Sequence, residues 1–193
     1  VHADGAVWAT RFSNYIYGDL TGLTCDEDGN CAVGNGEDLK EMFFTQGDAR
    51  FVGAEAHAEI ELLQNAMGDL HLNLLADVVR AKLANGAGDV PRIPPYHVGA
   101  GLSWHGERVD ASVFVKYAGR QSRIAAAETP TGAFTNVDAQ LALRPWADKP
   151  HVEFALVGRN LTDSAQRNAV ALNKDEVMLP GRDIRLMIRA KLD

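Results

Sequence analysis

The chain contains no run of eighteen or more apolar residues, which excludes a hydrophobic transmembrane helix. It does not exclude membrane strands, which are short and half polar. Basic residues are in deficit, 19 against 26 acidic, for a net charge of −7 and a pI near 5.3. Nucleic acid, which needs a basic stripe, is therefore not an expected partner. Gly-x-Ser-x-Gly, His-Glu-x-x-His and a phosphate-cradling glycine loop are all missing, and no nucleophile stands near a base. An enzyme is not expected, nor is a cofactor. Position 1 is Val, with no signal peptide behind it, and the sequence there reads as mid-strand, so a fragment is expected. Disorder is excluded by 46% hydrophobic and 23% charged residues.

What is present is period-2 alternation. In residues 183–192 the even positions Ile184, Leu186, Ile188, Ala190 and Leu192 are apolar. Of the odd positions, Asp183, Arg185, Arg189 and Lys191 are charged and only Met187 is not. One apolar and one ionic face suit a strand with lipid on one side and a polar lumen on the other. The same pattern predicts strands at 1–17, 39–63, 69–83, 96–104, 109–117, 134–144 and 152–159. A helix rivals the strand at 69–83, where Leu, Ala, Lys and Arg favour it. In 39–63 the apolar set is Val52, Ala54, Ala56, Ala58, Ile60 and Leu62. At 109–117 Val113 and Lys116 fall on opposite faces.

The connections alternate in length. Long ones are expected at 18–38, 85–95, 119–132 and 161–182, and short ones at 64–68, 105–108 and 145–150. Long loops at one end and short turns at the other characterise outer-membrane barrels. A soluble sandwich has no reason to sort them so. The fold class is all-β, an antiparallel up-and-down transmembrane β-barrel segment of about eight strands. Tyr96, Tyr117, Trp104, Phe134 and Trp146 near strand ends would serve as aromatic girdles.

Several stretches carry a resemblance. Asn160-Leu161-Thr162-Asp163 closes one strand, and Leu179-Pro180-Gly181-Arg182 leads into the last. Arg11-Phe12-Ser13-Asn14-Tyr15-Ile16-Tyr17 and the stretch from Gln46 to Glu55 fit the same pattern in the same order. Together they resemble the C-terminal end of TonB-dependent outer-membrane receptors. The resemblance implies that residues 1–193 are the C-terminal portion of a barrel of about 22 strands, with the plug domain absent from this chain. It also implies energised uptake of a scarce solute (a siderophore, cobalamin or metal complex) across the outer membrane of a Gram-negative bacterium. Outer-membrane lipid and, through the plug, an energy-transducing inner-membrane complex would be the partners. Glu128-Thr129-Pro130-Thr131 and residues 160–182 are similar to the zinc-uptake subgroup. The alternatives are a complete eight-stranded outer-membrane barrel with a structural or adhesive role, and a soluble ligand-binding β-barrel.

On the barrel reading, solute contacts are expected from loops and lumen at Asp19, Asp26, Asp28, Arg123, Arg167 and Lys174. Cys25 and Cys31 are expected to pair in an oxidising compartment, the alternative being two free thiols. Asp26, Asp28 and Asn30 have the first spacings of a calcium loop, but Cys31 replaces the needed glycine, so a solvated acidic loop is the better account. Glu55, His57 and Glu59 are candidate metal ligands on one strand face, with a polar lumen wall as the plain alternative. Gly99 and Gly101 inside a strand suggest curvature or close packing. Receptors of this family end on an aromatic residue, so one is expected after Asp193, at the next lipid-facing position.

Overall fold

The computed structural model describes residues 1–34, 39–86, 88–146 and 152–190. Its strands are β1 (His2–Cys25), β2 (Cys31–Ala32), β3 (Leu39–Asn65), β4 (Gly68–Leu83), β5 (His97–His105), β6 (Val109–Ala118), β7 (Phe134–Leu143), β8 (Val152–Arg159) and β9 (Asp183–Ala190). All pairings are antiparallel, in the order β2-β1-β3-β4-β5-β6-β7-β8-β9. Apart from the two-residue β2, these are eight full strands in an up-and-down meander. The sheet does not close on itself, so a complete eight-stranded barrel does not describe it.

Register carries the alternation across the whole sheet. One row runs Ile60–Leu72–Leu102–Val113–Ala139–Gly158–Ile184 through β3 to β9. A second runs Leu70–Trp104–Ala111–Leu141–Leu156–Leu186. The side-chain period of two therefore puts every apolar set on one face. Ile184, Leu186, Ile188 and Val7 lie 60–88% exposed there. The opposite face carries Asp77, His97, Lys116, Asn136, Asp138, Arg185 and Arg189. Tyr96 and Tyr117 pack at the loop end of the apolar face, with ring centroids 6.0 Å apart. Trp146 and Phe154 pack at the turn end, 5.8 Å apart. Tyr96 and Trp104 are eight residues apart, about 27 Å along a strand. That is the scale of the ~25 Å apolar band of a transmembrane barrel.

Residues 69–83 are strand as expected, because cross-strand pairing on both sides overrides local helix preference. Three expectations are corrected. The strand expected to stop at residue 17 runs to Cys25, since its partner β3 extends equally far and satisfies its backbone. A bulge between Glu61 and Leu63 puts Leu63, not Leu62, opposite Leu70. Phe134 pairs with Ala118 on the polar face and is no part of a girdle. The turn at 145–150 and the position after Asp193 fall wholly or partly outside the described residues.

Glycines on the polar face are seats for rings. A Cβ on Gly53 would strike Trp8, 2.5 Å from Cε2. A Cβ on Gly99 would lie 2.7 Å from Phe114 Cζ, and one on Gly101 would strike the same ring and sit 2.5 Å from the Val113 carbonyl oxygen. Because that last neighbour is backbone, it cannot swing away. Gly101→Val should cost about 3 kcal/mol or more. At Gly132 an added methyl meets nothing within 4 Å, and Gly132→Ala should be nearly neutral, within about 0.5 kcal/mol. The yield of folded, heat-modifiable protein on unboiled gels compares the two, and equal yields would refute the packing role.

Candidate functional site

The end of the sheet bearing the long connections is not open. β1 and β3 run 24 and 27 residues, against roughly 9–11 needed to cross a bilayer. Their hairpin therefore projects beyond β4, whose last residue Leu83 pairs with Ala49. A bulge between Phe12 and Tyr15 bends it, with Asn14 at φ 55° donating its N–H to Asp48 Oδ1 at 3.1 Å. Beneath the bend, Phe12, Tyr15 and Phe51 pack ring to ring at 5.2–5.5 Å. Ala49, Ala81 and Val90 are buried against Tyr15 and Phe51. Cys25 and Cys31 close the hairpin tip with a disulfide, S–S 2.05 Å.

All four long connections meet in one chamber. Gly18, Asp19, Leu20, Lys40 and Met42 come from the β1–β3 hairpin; Pro91 and Arg92 from the β4–β5 loop; Ala125 to Thr129 from the β6–β7 loop; Leu172, Lys174 and Asp175 from the β8–β9 loop. Charge holds the pieces together. Lys40 Nζ donates to Asp175 Oδ2 at 2.6 Å and lies 3.3 Å from Glu176 Oε1. Thr129 Oγ1 donates to the other Asp175 oxygen at 2.6 Å. Glu128 accepts the Arg92 and Ala125 N–H groups at 3.1 and 2.9 Å, and Lys174 Nζ is 3.9 Å from its Oε1. Both side chains of that last pair are only 7% exposed. The volume left over is about 20 Å³, room for about one water. The arrangement is thus a seal of four loops, held by ion pairs, with no ready-made cavity.

The Asn160–Asp163 tetrapeptide anchors the largest of these loops. Asn160, at φ 46°, accepts from the Ser164 N–H at 3.0 Å and donates to the Ser164 and Pro180 carbonyls at 3.0 and 3.3 Å. Its own N–H donates to Asp138 Oδ1. Leu161 folds back over Gly158, where a Cβ would come within 2.6 Å of it. Asp163 accepts the Arg182 N–H at 2.9 Å, and its Oδ1 would lie 3.0 Å from a Cβ on Gly181. Asn160 and Asp163 therefore tie the loop's start to its end, at the entry to β9, while Leu161 and Thr162 bond back to β7.

Of the expected solute contacts, Asp19 and Lys174 come together in the chamber. Arg167 lies beside them, donating to the Lys174 carbonyl oxygen. Asp26 and Asp28 stay at the hairpin tip, where Asn30 bonds Asp26 and holds its carboxyl below the usual value. Arg123 lies apart, in a groove with Tyr96, Arg80 and Arg120. Glu55, His57 and Glu59 go separate ways on the polar face: Asp4 is 3.5 Å from His57, and His71 is 3.0 Å from Glu59. The one converging His/Cys/Asp/Glu trio among the described residues is Cys25, Cys31 and Glu41, whose sulfurs are spent in the disulfide. Lys40 and Asp175 were missed because 135 positions separate them.

Burial pushes the Asp175 carboxyl up, but hydrogen bonds from Lys40 and Thr129 outweigh it and hold the group below its ordinary 3.8. A depressed folded value means stability present above pH 3.8 and lost as pH falls through the lower folded value. With its side chain about a third exposed, the Lys40–Asp175 pair contributes about 1 kcal/mol or less. Asp175→Asn should increase protease cutting in residues 160–182 at neutral pH. Wild type should reach the same rate only when acidified below that range, and the variant should show no such acid step. An unchanged cutting pattern in the variant would remove the latch role.

A family model described as TonB dependent receptor-like, beta-barrel, matches residues 1–161. No curated protein sequence matches the chain significantly. Among solved structures, the copper transporter OprC superposes with a TM-score of 0.75 at 17% sequence identity, over 98% of this chain and 29% of that one. At that identity the likeness is one of fold, and the chain spans under a third of that protein's length.

Proposed function

The chain belongs to the TonB-dependent receptor β-barrel family, and from that premise we propose that it is the C-terminal portion of a receptor for energised solute uptake. Members of the family are transporters, and the family implies a Gram-negative outer membrane. On this reading a plug domain lies outside residues 1–193 and couples the barrel to an inner-membrane complex. The apolar face of β3–β9 meets lipid, and the polar face lines the lumen. The solute is a scarce one, a siderophore, cobalamin or metal complex. The likeness of Glu128–Thr131 to the zinc-uptake subgroup, and the copper transporter as a structural neighbour, favour a metal or its chelate within that set.

One observation carries the reading: four long connections converge on a single charged seal at one end, while short turns occupy the other. A structural or adhesive barrel has no need to fold its loops onto one another over the lumen face. In a transporter the seal is the closed state, and a solute gains entry by competing for its charges. Asp19, Lys174 and Arg167 are then the contacts nearest the entry path. Arg123, Asp26 and Asp28 are peripheral, and Glu55, His57 and Glu59 form lumen wall.

Two tests follow, one for each face. Val113 pairs with Leu102 and Ala139 on the apolar side, and Lys116 with Gly99 and Asn136 on the polar side. Val113→Arg should cost about 2–4 kcal/mol near the bilayer midplane, and Lys116→Gln far less, read as folded barrel recovered from membranes. Equal tolerance would reverse the face assignment. In the natural receptor, replacing Thr162–Met178 with a short Gly-Ser linker should abolish high-affinity solute binding while the barrel still assembles. Unchanged binding after each long loop is removed in turn would defeat the uptake reading.

A further inference from the structure

The loop end of the apolar face carries charge where apolar residues would be expected. Register sets Arg11 opposite Arg50, and Arg50 opposite Lys82, so three cations stand in one cross-strand row over β1, β3 and β4, and the row ends on Asp89, which bridges to Lys82. In the row below, Arg80 pairs with Val52. Below that the face becomes apolar again, with Val7, Ala54 and Val78. Like charges directly opposite one another on a sheet are unfavourable. Among the described residues none of Arg11, Arg50, Arg80 and Lys82 makes an ion pair, and all four are exposed.

Beside this row runs a groove of about 580 Å³, within the size range of ligand sites. Its floor is Ala54, Ala56, Ala76 and Val98, small side chains on the apolar face. Its loop-end rim is Arg80, Arg120, Arg123 and Tyr96. Glu55, Asp77 and His97 also border it, but register turns their side chains to the polar face, where Asp77 is 2.9 Å from His97 Nδ1. The groove thus has an apolar floor and a cationic rim, and among the described residues that line it no carboxylate shares that face.

We propose that this is a binding site for a phosphorylated membrane lipid, with acyl chains in the groove and phosphates against the Arg50–Lys82–Arg80 row and the Arg120–Arg123 rim. The inference rests on the apolar face meeting lipid. A lipid, and not free phosphate, is the occupant because the apolar floor is continuous with the cationic rim. A bound phosphate also removes the repulsion within the row, so occupancy stabilises the β1–β3–β4 sheet.

The test uses the natural receptor that carries these strands, reconstituted in phosphatidylcholine bilayers. Four conditions are compared: no addition, diphosphorylated lipid A, the same lipid dephosphorylated, and inorganic phosphate. The midpoint of heat-induced loss of the folded gel band is the readout, with vesicle-binding affinity beside it. Diphosphorylated lipid A alone should raise the midpoint. R50Q/R80Q/K82Q and, separately, R120Q/R123Q should lose most of that rise, with affinity falling about fivefold per cation removed. The second variant lies outside the strands, so it keeps the test informative if the first assembles poorly. An equal rise with the dephosphorylated lipid or with inorganic phosphate overturns the proposal, as does a full rise in both variants. Failure of the face assignment would show itself separately, as normal assembly of Val113→Arg.

Discussion

Everything in this sheet depends on backbone pairing that leaves no strand free to slip. Each of β3 to β8 is hydrogen-bonded on both sides, and side chains alternate with a period of two. A slip of one residue in any pair would send an entire apolar set to the polar face. The Ile60-to-Ile184 row is continuous over seven strands only because every register is correct at once. Glycine and aromatic pairs strengthen that choice. Phe114 needs the bare backbone of Gly99 and Gly101, and Trp8 needs Gly53, so one step of slip would drive rings into Cβ atoms.

The two ends of the sheet solve different problems. At the turn end, Arg144 gathers Asp110 at 2.6 Å, Glu153 at 3.1 Å, and the carbonyl oxygens of Gly106 and Glu107 at 2.7 and 3.0 Å. Arg189 takes the other Glu153 oxygen at 2.9 Å. That network binds two short turns and the last strand into a fixed base. At the loop end the joints lie between separate loops, and the Lys40–Asp175 pair is part exposed and individually weak. The Lys174–Glu128 pair is more deeply buried, with its charged atoms 3.9 Å apart.

Much of the fold was legible in the sequence, and the reason is local. Alternation in 183–190 and 109–118 reports the face that each residue takes, and loop lengths can simply be counted. The bulge at Glu61 could not be read, because Leu62 and Leu63 are both apolar and either could continue the alternation. Nor could the length of β1 past Tyr17, which comes from a partner strand and not from its own Gly- and Thr-rich sequence. The site was least legible. Asp19 and Lys174 could be named as charged loop residues, but their meeting with Lys40, Glu128 and Asp175 depends on how four loops fold. Asn160 and Asp163 were visible as a motif, while their work of tying loop start to loop end appeared only with the hydrogen bonds.

Arginine shows how place decides meaning. Arg144 and Arg189 lie on the polar side, each held by carboxylates. Among the described residues Arg11, Arg50 and Arg80 make no ion pair, and they stand on the face where a charge is costliest to leave bare. Solubility cannot account for them, since the face directly below them is apolar and the chain as a whole is acidic. Packing cannot either, since they are exposed. Their position just past the apolar band is the depth of lipid head groups if that band spans the hydrocarbon core. On the lipid reading, Arg144 and Arg189 are answered by the chain's own carboxylates, and Arg11, Arg50 and Arg80 by the membrane.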